Sequence, residues 1–196
     1  MNHKQDIQHN YQDLIVLFEQ AFSQSYNTRL IKGDDEPLYL PANSEVDYHQ
    51  VIFARGYYAS AFHEIAHWCH AGKKRRLLED YGYWYEPDGR DEPQQHKFEQ
   101  VEVIPQAIEW AFNIAAQKVF HVSADNLNGF QTDTTKFKMK VYQQVLFFIE
   151  HGFPKRAQRF IEVLANFYNV PVPLTAMQFK SDDSHRVEVE DIYAVI

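Results

Sequence analysis

The spacing of hydrophobic positions changes several times along the chain, and the changes mark its elements. Tyr11, Leu14, Ile15, Phe18, Ala21 and Phe22 recur at three- and four-residue intervals, which predicts an amphipathic helix over residues 11–22. Thr28-Arg29-Leu30-Ile31 and Leu38-Tyr39-Leu40 flank Gly33-Asp34-Asp35-Glu36-Pro37, the pattern of two short strands joined by an acidic turn. Val51-Ile52-Phe53-Ala54 is a third strand by its branched and aromatic content, stopped at Gly56. A helix with apolar Ala59, Ala61, Phe62, Ile65, Ala66 and Trp68 follows, to about Ala71-Gly72, where the glycine can cap it. Two later helices are predicted over residues 141–150 and 157–168, split by Gly152-Phe153-Pro154. Val145, Phe148, Ile149, Phe160, Ile161, Leu164, Ala165 and Phe167 are their expected core positions.

The stretch 98–118 breaks the usual amphipathic proportion. At ~100° per residue, Glu99, Glu102, Gln106, Glu109 and Asn113 fall within an arc of roughly 80°. Almost everything else there is apolar, and a helix apolar around most of its circumference is buried. The polar arc is then either a narrow stripe facing water, or its N-terminal carboxylates face a buried cation. Pro105 removes one backbone donor and is expected to bend this helix.

The pattern as a whole predicts an α+β fold, mostly helical, with a small antiparallel sheet. Residues 1–180 read as one domain. The compact part is expected to close at residues 171–174, and residues 181–196 form an acidic C-terminal tail. The length of 196 residues suits a single domain, and 45% hydrophobic content is enough for a core. No run approaches the roughly 18–20 apolar residues of a membrane span. The polar start of the chain lacks the apolar segment of a signal peptide. Cys69 is the single cysteine, so an internal disulfide is excluded, and the expected location is cytoplasmic. Cys69 itself reads as a small buried hydrophobe.

A net charge of −8 argues against a general nucleic-acid binder. Four consecutive cations, Lys73, Lys74, Arg75 and Arg76, stand against that background. They suit a helix C-terminus, where the backbone dipole is negative, and equally the docking of an acidic macromolecule. The aromatic run Tyr81 to Tyr85, leading into Pro87-Asp88-Gly89-Arg90, reads as a packed surface loop, with a wall of a substrate cleft as the alternative.

The chemistry is concentrated in His63-Glu64-Ile65-Ala66-His67. Histidines four apart on a helix stack one turn above the other, so both imidazoles can bind one divalent cation. Glu64 stands beside the first and is the candidate catalytic carboxylate. Two histidines need at least one more protein ligand. Glu102 and Glu99 are the candidates, Glu102 preferred because it lies deeper in the apolar stretch, where a carboxylate needs a compensating partner. Asp91 and Glu92 are read as loop residues and weaker candidates. His70, three residues on, is a minor candidate for the ion's surroundings, and the remaining histidines are scattered. The metal set is therefore His63, His67 and Glu102. With Zn²⁺ it would serve peptide hydrolysis, Glu64 taking the proton of a bound water. With Fe(II) it matches a facial triad with positions left for dioxygen and substrate. Ligand identity alone does not choose.

Several separated blocks match one known family in order. They are 27–37, 63–69, Gly82-Tyr83-Trp84-Tyr85 with Pro87-Asp88-Gly89-Arg90-Asp91, Phe98-Glu99 with Val101-Glu102-Val103, and Pro105-Gln106-Ala107. Through them the chain, from about Tyr11 to Phe179, resembles the bacterial elongation factor P hydroxylase family. The resemblance implies hydroxylation of a lysine side chain of elongation factor P that already carries a β-lysyl group. It also implies a metallopeptidase-like core, with His63, His67 and Glu102 on the metal. The hydroxylase reading expects Fe(II), dioxygen as co-substrate, elongation factor P as protein partner, and neither nucleic acid nor membrane. Under it, Lys73 to Arg76 would steer the substrate, and Asp34, Asp35 or Glu36 would receive the positively charged modified lysine.

Overall fold

A computed structural model describes residues 7–82, 88–124, 126–130 and 133–179. The elements in order are α1 (Tyr11–Tyr26), β1 (Thr28–Lys32), β2 (Leu38–Leu40), β3 (His49–Phe53), α2 (Tyr58–His70), α3 (Glu92–Ala115), α4 (Thr134–His151) and α5 (Lys155–Phe167). Short 3₁₀ turns cover Arg75–Leu77, Glu79–Gly82 and Ala176–Phe179. The mixed α+β class agrees with the sequence pattern.

The sheet is mixed rather than antiparallel. Its order is β1-β3-β2, with β1 parallel to β3 and β2 antiparallel to it. The acidic segment after β1 therefore does not close a hairpin. Instead the Gly33 N–H bonds to the Phe53 carbonyl, tying the turn to β3. Residues 41–48 then carry the chain back, so that the His49 N–H reaches the Asn27 carbonyl and β3 starts level with β1. In the acidic turn itself, Asp35 is engaged by Arg55, with Nη2 2.6 Å from Oδ1.

Local chemistry sets the helix ends. Asn10 caps α1 through its side chain, and Asn27 closes it in the left-handed region at φ 47°. α2 ends one residue before the expected glycine cap. Ala71, at φ −56°, donates its N–H to the His67 carbonyl, and side chains cover the carbonyls of Trp68, Cys69 and Ala71. Arg156 Nη2 donates to the carbonyls of Trp68 and Cys69 at 2.8 and 3.0 Å and to Ala71, while Arg76 Nη1 also donates to Ala71. These guanidinium bonds do the work that a left-handed glycine would otherwise do at Gly72. Asp91 and Glu92 are not loop residues. Asp91 is the N-cap of α3 in a reciprocal box with Gln94, Glu92 opens the helix, and Pro93 falls where a missing donor costs nothing. Pro105 lies within α3, which runs on through it to Ala115.

The core forms where α1, α2, α3 and α5 meet. Trp68 lies edge-on to Phe18 and Phe22, with ring centroids 5.3 and 4.8 Å apart, and Phe160 packs edge-on to Phe112 at 5.2 Å. Cys69 is buried here as expected. Phe167, expected in the core, is 46% exposed, because it falls on the outer side of α5's last turn. The compact part also runs past residue 174: Phe179, 1% exposed, returns to pack on Trp110. Tyr81 stacks on Tyr39 at 4.3 Å, anchoring the start of the aromatic loop. The cluster at 83–87 and the tail at 181–196 lie outside the described residues. No helix among the described residues is long and apolar enough to cross a membrane.

Candidate metal centre

α2 and α3 pack against each other, and the polar arc of α3 is turned away from water, with Glu102 and Glu109 reaching the histidines of α2. Gln95, Glu99, Glu102, Gln106, Glu109 and Asn113 are all buried. The solvent-stripe alternative is thereby overturned. The exposed residues of α3 are instead Glu92 to Gln94, His96, Lys97 and Gln100, and the polar row lies inward of them, so each of its groups needs a partner.

For three residues the partners are one another. His63 Nε2 and His67 Nε2 are 3.1 Å apart. Glu102 Oε1 lies 3.2 Å from His67 Nε2, and Glu102 Oε2 lies 3.6 Å from His63 Nε2. One donor atom from each falls within 4.8 Å of the others, so the three could hold a metal ion. Glu102 is 1% exposed, and Glu99, one turn earlier and 3% exposed, does not belong to the trio. His70, at the solvent-facing end of α2, does not belong to it either. The trio meets solvent at His63, whose side chain is 30% exposed, beside half-buried Glu64.

The donor set fits a cation. Two imidazole nitrogens and a carboxylate aimed at one point repel unless positive charge lies between them. Glu102 Oε1 is buried, and its near neighbour His67 Nε2, 3.2 Å away, is not placed in hydrogen-bond geometry, as expected of two atoms that would share an ion rather than a proton. The charges of the trio also act on one another. Burial opposes a charged His63, but the Glu102 charge and the bond to Glu109 outweigh it and raise its pKa to about 10. Burial likewise opposes a charged Glu102, yet the two imidazoles pull its pKa down to about 2. Glu64 differs: burial raises its pKa, the two histidines offset this only in part, and the charges of Glu102 and Asp80 add to it. Tyr81, close enough to feel Glu64, is pushed well above the usual phenol range by burial first and that charge second.

The sequence marks two supporting residues only as members of the polar arc, with no role at the site. Glu109 Oε2 lies 2.9 Å from His63 Nδ1. A carboxylate oxygen accepts from Nδ1–H, so Nε2 is the ring atom turned to the trio, and it would ligate an ion once that ion displaced its proton. Gln106 stands 3.5 Å from Glu102 Oε2 and is itself clamped by the backbone of Ser123, which donates to its Oε1 and accepts from its Nε2. The available signal was register: Glu109 follows Glu102 by seven residues, two helical turns on the same face.

A mixed α+β domain in which two histidines and one carboxylate converge between packed helices has the form of a mononuclear metal enzyme with open coordination positions. A family profile described as elongation factor P hydroxylase matches residues 17–179. An elongation factor P lysine hydroxylase of Haemophilus influenzae is 54% identical over 173 residues, covering 88% of this chain and 97% of that protein. The chain belongs to the elongation factor P hydroxylase family.

Proposed function

We propose that this protein is a metal-dependent hydroxylase acting on the β-lysylated lysine side chain of elongation factor P. The observation that carries the reading is the convergence of His63, His67 and Glu102 in a chain 54% identical to an elongation factor P lysine hydroxylase. The three would hold Fe(II), with dioxygen as co-substrate; the ion when bound supplies the oxygen-activating chemistry. Glu109 fixes the ring of His63, and Gln106 steadies the carboxylate of Glu102. Glu64, on the solvent-facing side, is the catalytic carboxylate. Its raised pKa suits a group that takes up or holds a proton beside the reacting side chain. The arrangement of α2 between β3 and α3 supports a metallopeptidase-like core, with residues 1–180 as one domain and 181–196 as a tail. A translation factor as substrate supports a cytoplasmic location. The peptidase alternative draws no support from the family description or from the relative's name.

The test is aerobic incubation of the iron-loaded protein with β-lysylated elongation factor P, read by intact mass. The expected result is a gain of one oxygen atom on the modified lysine. Peptide fragments produced with zinc, and no mass gain with iron, would overturn the reading. Glu64→Gln sharpens it. A peptidase loses its general base and nearly all activity, whereas the hydroxylase is expected to keep a measurable part.

A further inference from the structure

The run Lys73-Lys74-Arg75-Arg76 divides in the structure. Arg76 Nη1 donates to the Ala71 carbonyl at 2.9 Å and its guanidinium lies over the Tyr26 ring, so it closes the end of α2. Arg75 Nη1 donates to the Tyr81 carbonyl at 2.8 Å and so secures the 3₁₀ turn at Glu79–Gly82. Lys73 and Lys74 do neither. Both are exposed, and neither makes a hydrogen bond, ion pair or ring contact with any described residue. The helix-end role therefore accounts for an arginine and leaves two adjacent lysines with no structural task, in a chain of net charge −8.

Their surroundings are those of an interface rather than of a solvated helix end. Lys73 and Lys74 line a concavity of about 420 Å³ together with His70, Ala71, Gly72 and Arg75. Leu77 and Leu78 follow at once, 67% and 51% exposed. Large apolar side chains flanked by cations are the composition of a protein-binding edge, apolar contact at the centre and charge at the rim. The place is also telling. His70 is three residues beyond His67, about 4.5 Å along the axis of α2, so the patch begins roughly one turn from the candidate metal ligands.

We propose that Lys73, Lys74, Leu77 and Leu78 form the docking edge for an acidic face of the protein substrate, placing its modified side chain at the adjacent metal centre. This rests on the reading of the protein as a protein hydroxylase. Paired lysines without counter-ions call for carboxylates in the partner. The exposed leucines add nothing to a phosphate backbone, and the negative charge of the rest of the chain repels a polyanion at longer range. A folded acidic protein satisfies both halves of the patch.

The test uses the full-length protein with two double variants, K73E/K74E and L77A/L78A. All four positions are exposed, so folding is expected to survive. KM and kcat for elongation factor P are measured across a salt series, alongside affinity for iron. Wild-type KM should rise with salt. K73E/K74E should raise KM about tenfold or more at low salt, flatten that dependence, and leave kcat and iron affinity unchanged. L77A/L78A should raise KM without changing the salt dependence. Hydroxylation that proceeds with KM and salt dependence indifferent to both variants overturns the proposal. Absence of any hydroxylation by wild type counts against the proposed function. The docking edge is then judged by direct binding of elongation factor P, and no binding, or binding indifferent to K73E/K74E, overturns it as well. Loss by K73E/K74E of salt-dependent binding to polyuridylate RNA, with elongation factor P binding unaffected, assigns the lysines to nucleic acid and also overturns it.

Discussion

α3 and α5 both carry a polar stripe, and the two stripes mean opposite things. On α5, Lys155, Arg159, Glu162 and Asn166 are exposed, while Ala157, Phe160, Ile161, Leu164 and Ala165 fill the core. On α3, Gln95, Glu99, Glu102, Gln106, Glu109 and Asn113 are buried. The difference lies in the rest of each circumference. The apolar residues of α5 form one band that leaves the opposite side to water. Those of α3 occupy more of the surface, so that from Pro105 on the helix is covered almost all round, while Glu92, His96, Lys97 and Gln100 keep one side of its first half in water. A buried polar row must then be paired group by group. Gln95 pairs with Arg90 and the Ala124 carbonyl, Gln106 with Ser123, Glu109 with His63, and Asn113 with its own helix. Glu102, facing the histidines, keeps one oxygen without a hydrogen bond. The exception in the row is thus the atom where chemistry is expected.

The most severe way to break this contrast is to remove the trio. Glu102→Ala, His63→Ala and His67→Ala are each expected to lose stoichiometric iron and hydroxylation together, with helical content retained by circular dichroism. Metal analysis of anaerobically purified variants checks this. Full metal content in both histidine variants would refute the ligand assignment. Glu99→Ala, on the same buried row but outside the trio, should keep its iron, and it separates loss of a ligand from loss of a buried charge.

Glu109 is the next step down. As the group that orients His63 without touching the ion, it should matter through affinity. Glu109→Ala is expected to weaken iron binding by roughly 10- to 100-fold. Glu109→Gln, which still offers an oxygen to Nδ1–H, should recover part of that loss. An electronic spectrum of the cobalt-substituted protein that shifts in the alanine variant and returns toward wild type in the glutamine variant would mark a positioning effect. An unchanged affinity in both variants would remove Glu109 from the site.

This ranking follows how far the sequence could be read. The pairing of His63 with His67 is legible because their relation is local: residues i and i+4 on a helix share a face whatever surrounds them. Glu102 is legible through its setting, a carboxylate deep in an apolar stretch. Glu109 is not, since a stripe on one helix does not say which neighbour it meets, and its partner stands 46 residues away on α2. The same limit accounts for the sheet. Three strands can be recognised one at a time, but their order is fixed by where residues 41–48 return the chain, a non-local fact. The cap of α2 fails for a related reason: Gly72 suggested a local stop, and the carbonyls are covered instead from α5 by Arg156, 85 residues from Ala71.

α5 supplies the mildest test, and it contains its own control. Arg156 is the inward-reaching polar side chain of that helix, with its guanidinium over the Trp68 ring at 4.8 Å and its Nη2 shared among three carbonyls of α2. Charged hydrogen bonds of this kind contribute about 1.5–3 kcal/mol, so Arg156→Met should lower unfolding free energy by about that amount. Arg159 and Glu162, about one and two turns further on and exposed, have no comparable task; the bond from Gln158 to Glu162 is a surface contact between helical neighbours. Arg159→Ala and Glu162→Ala should each stay within about 0.5 kcal/mol of wild type in urea unfolding. Both variants must also leave iron content untouched. If either surface substitution cost as much as Arg156→Met, exposure would not be what separates the α5 stripe from that of α3, and the burial argument for Glu102 would lose its reference.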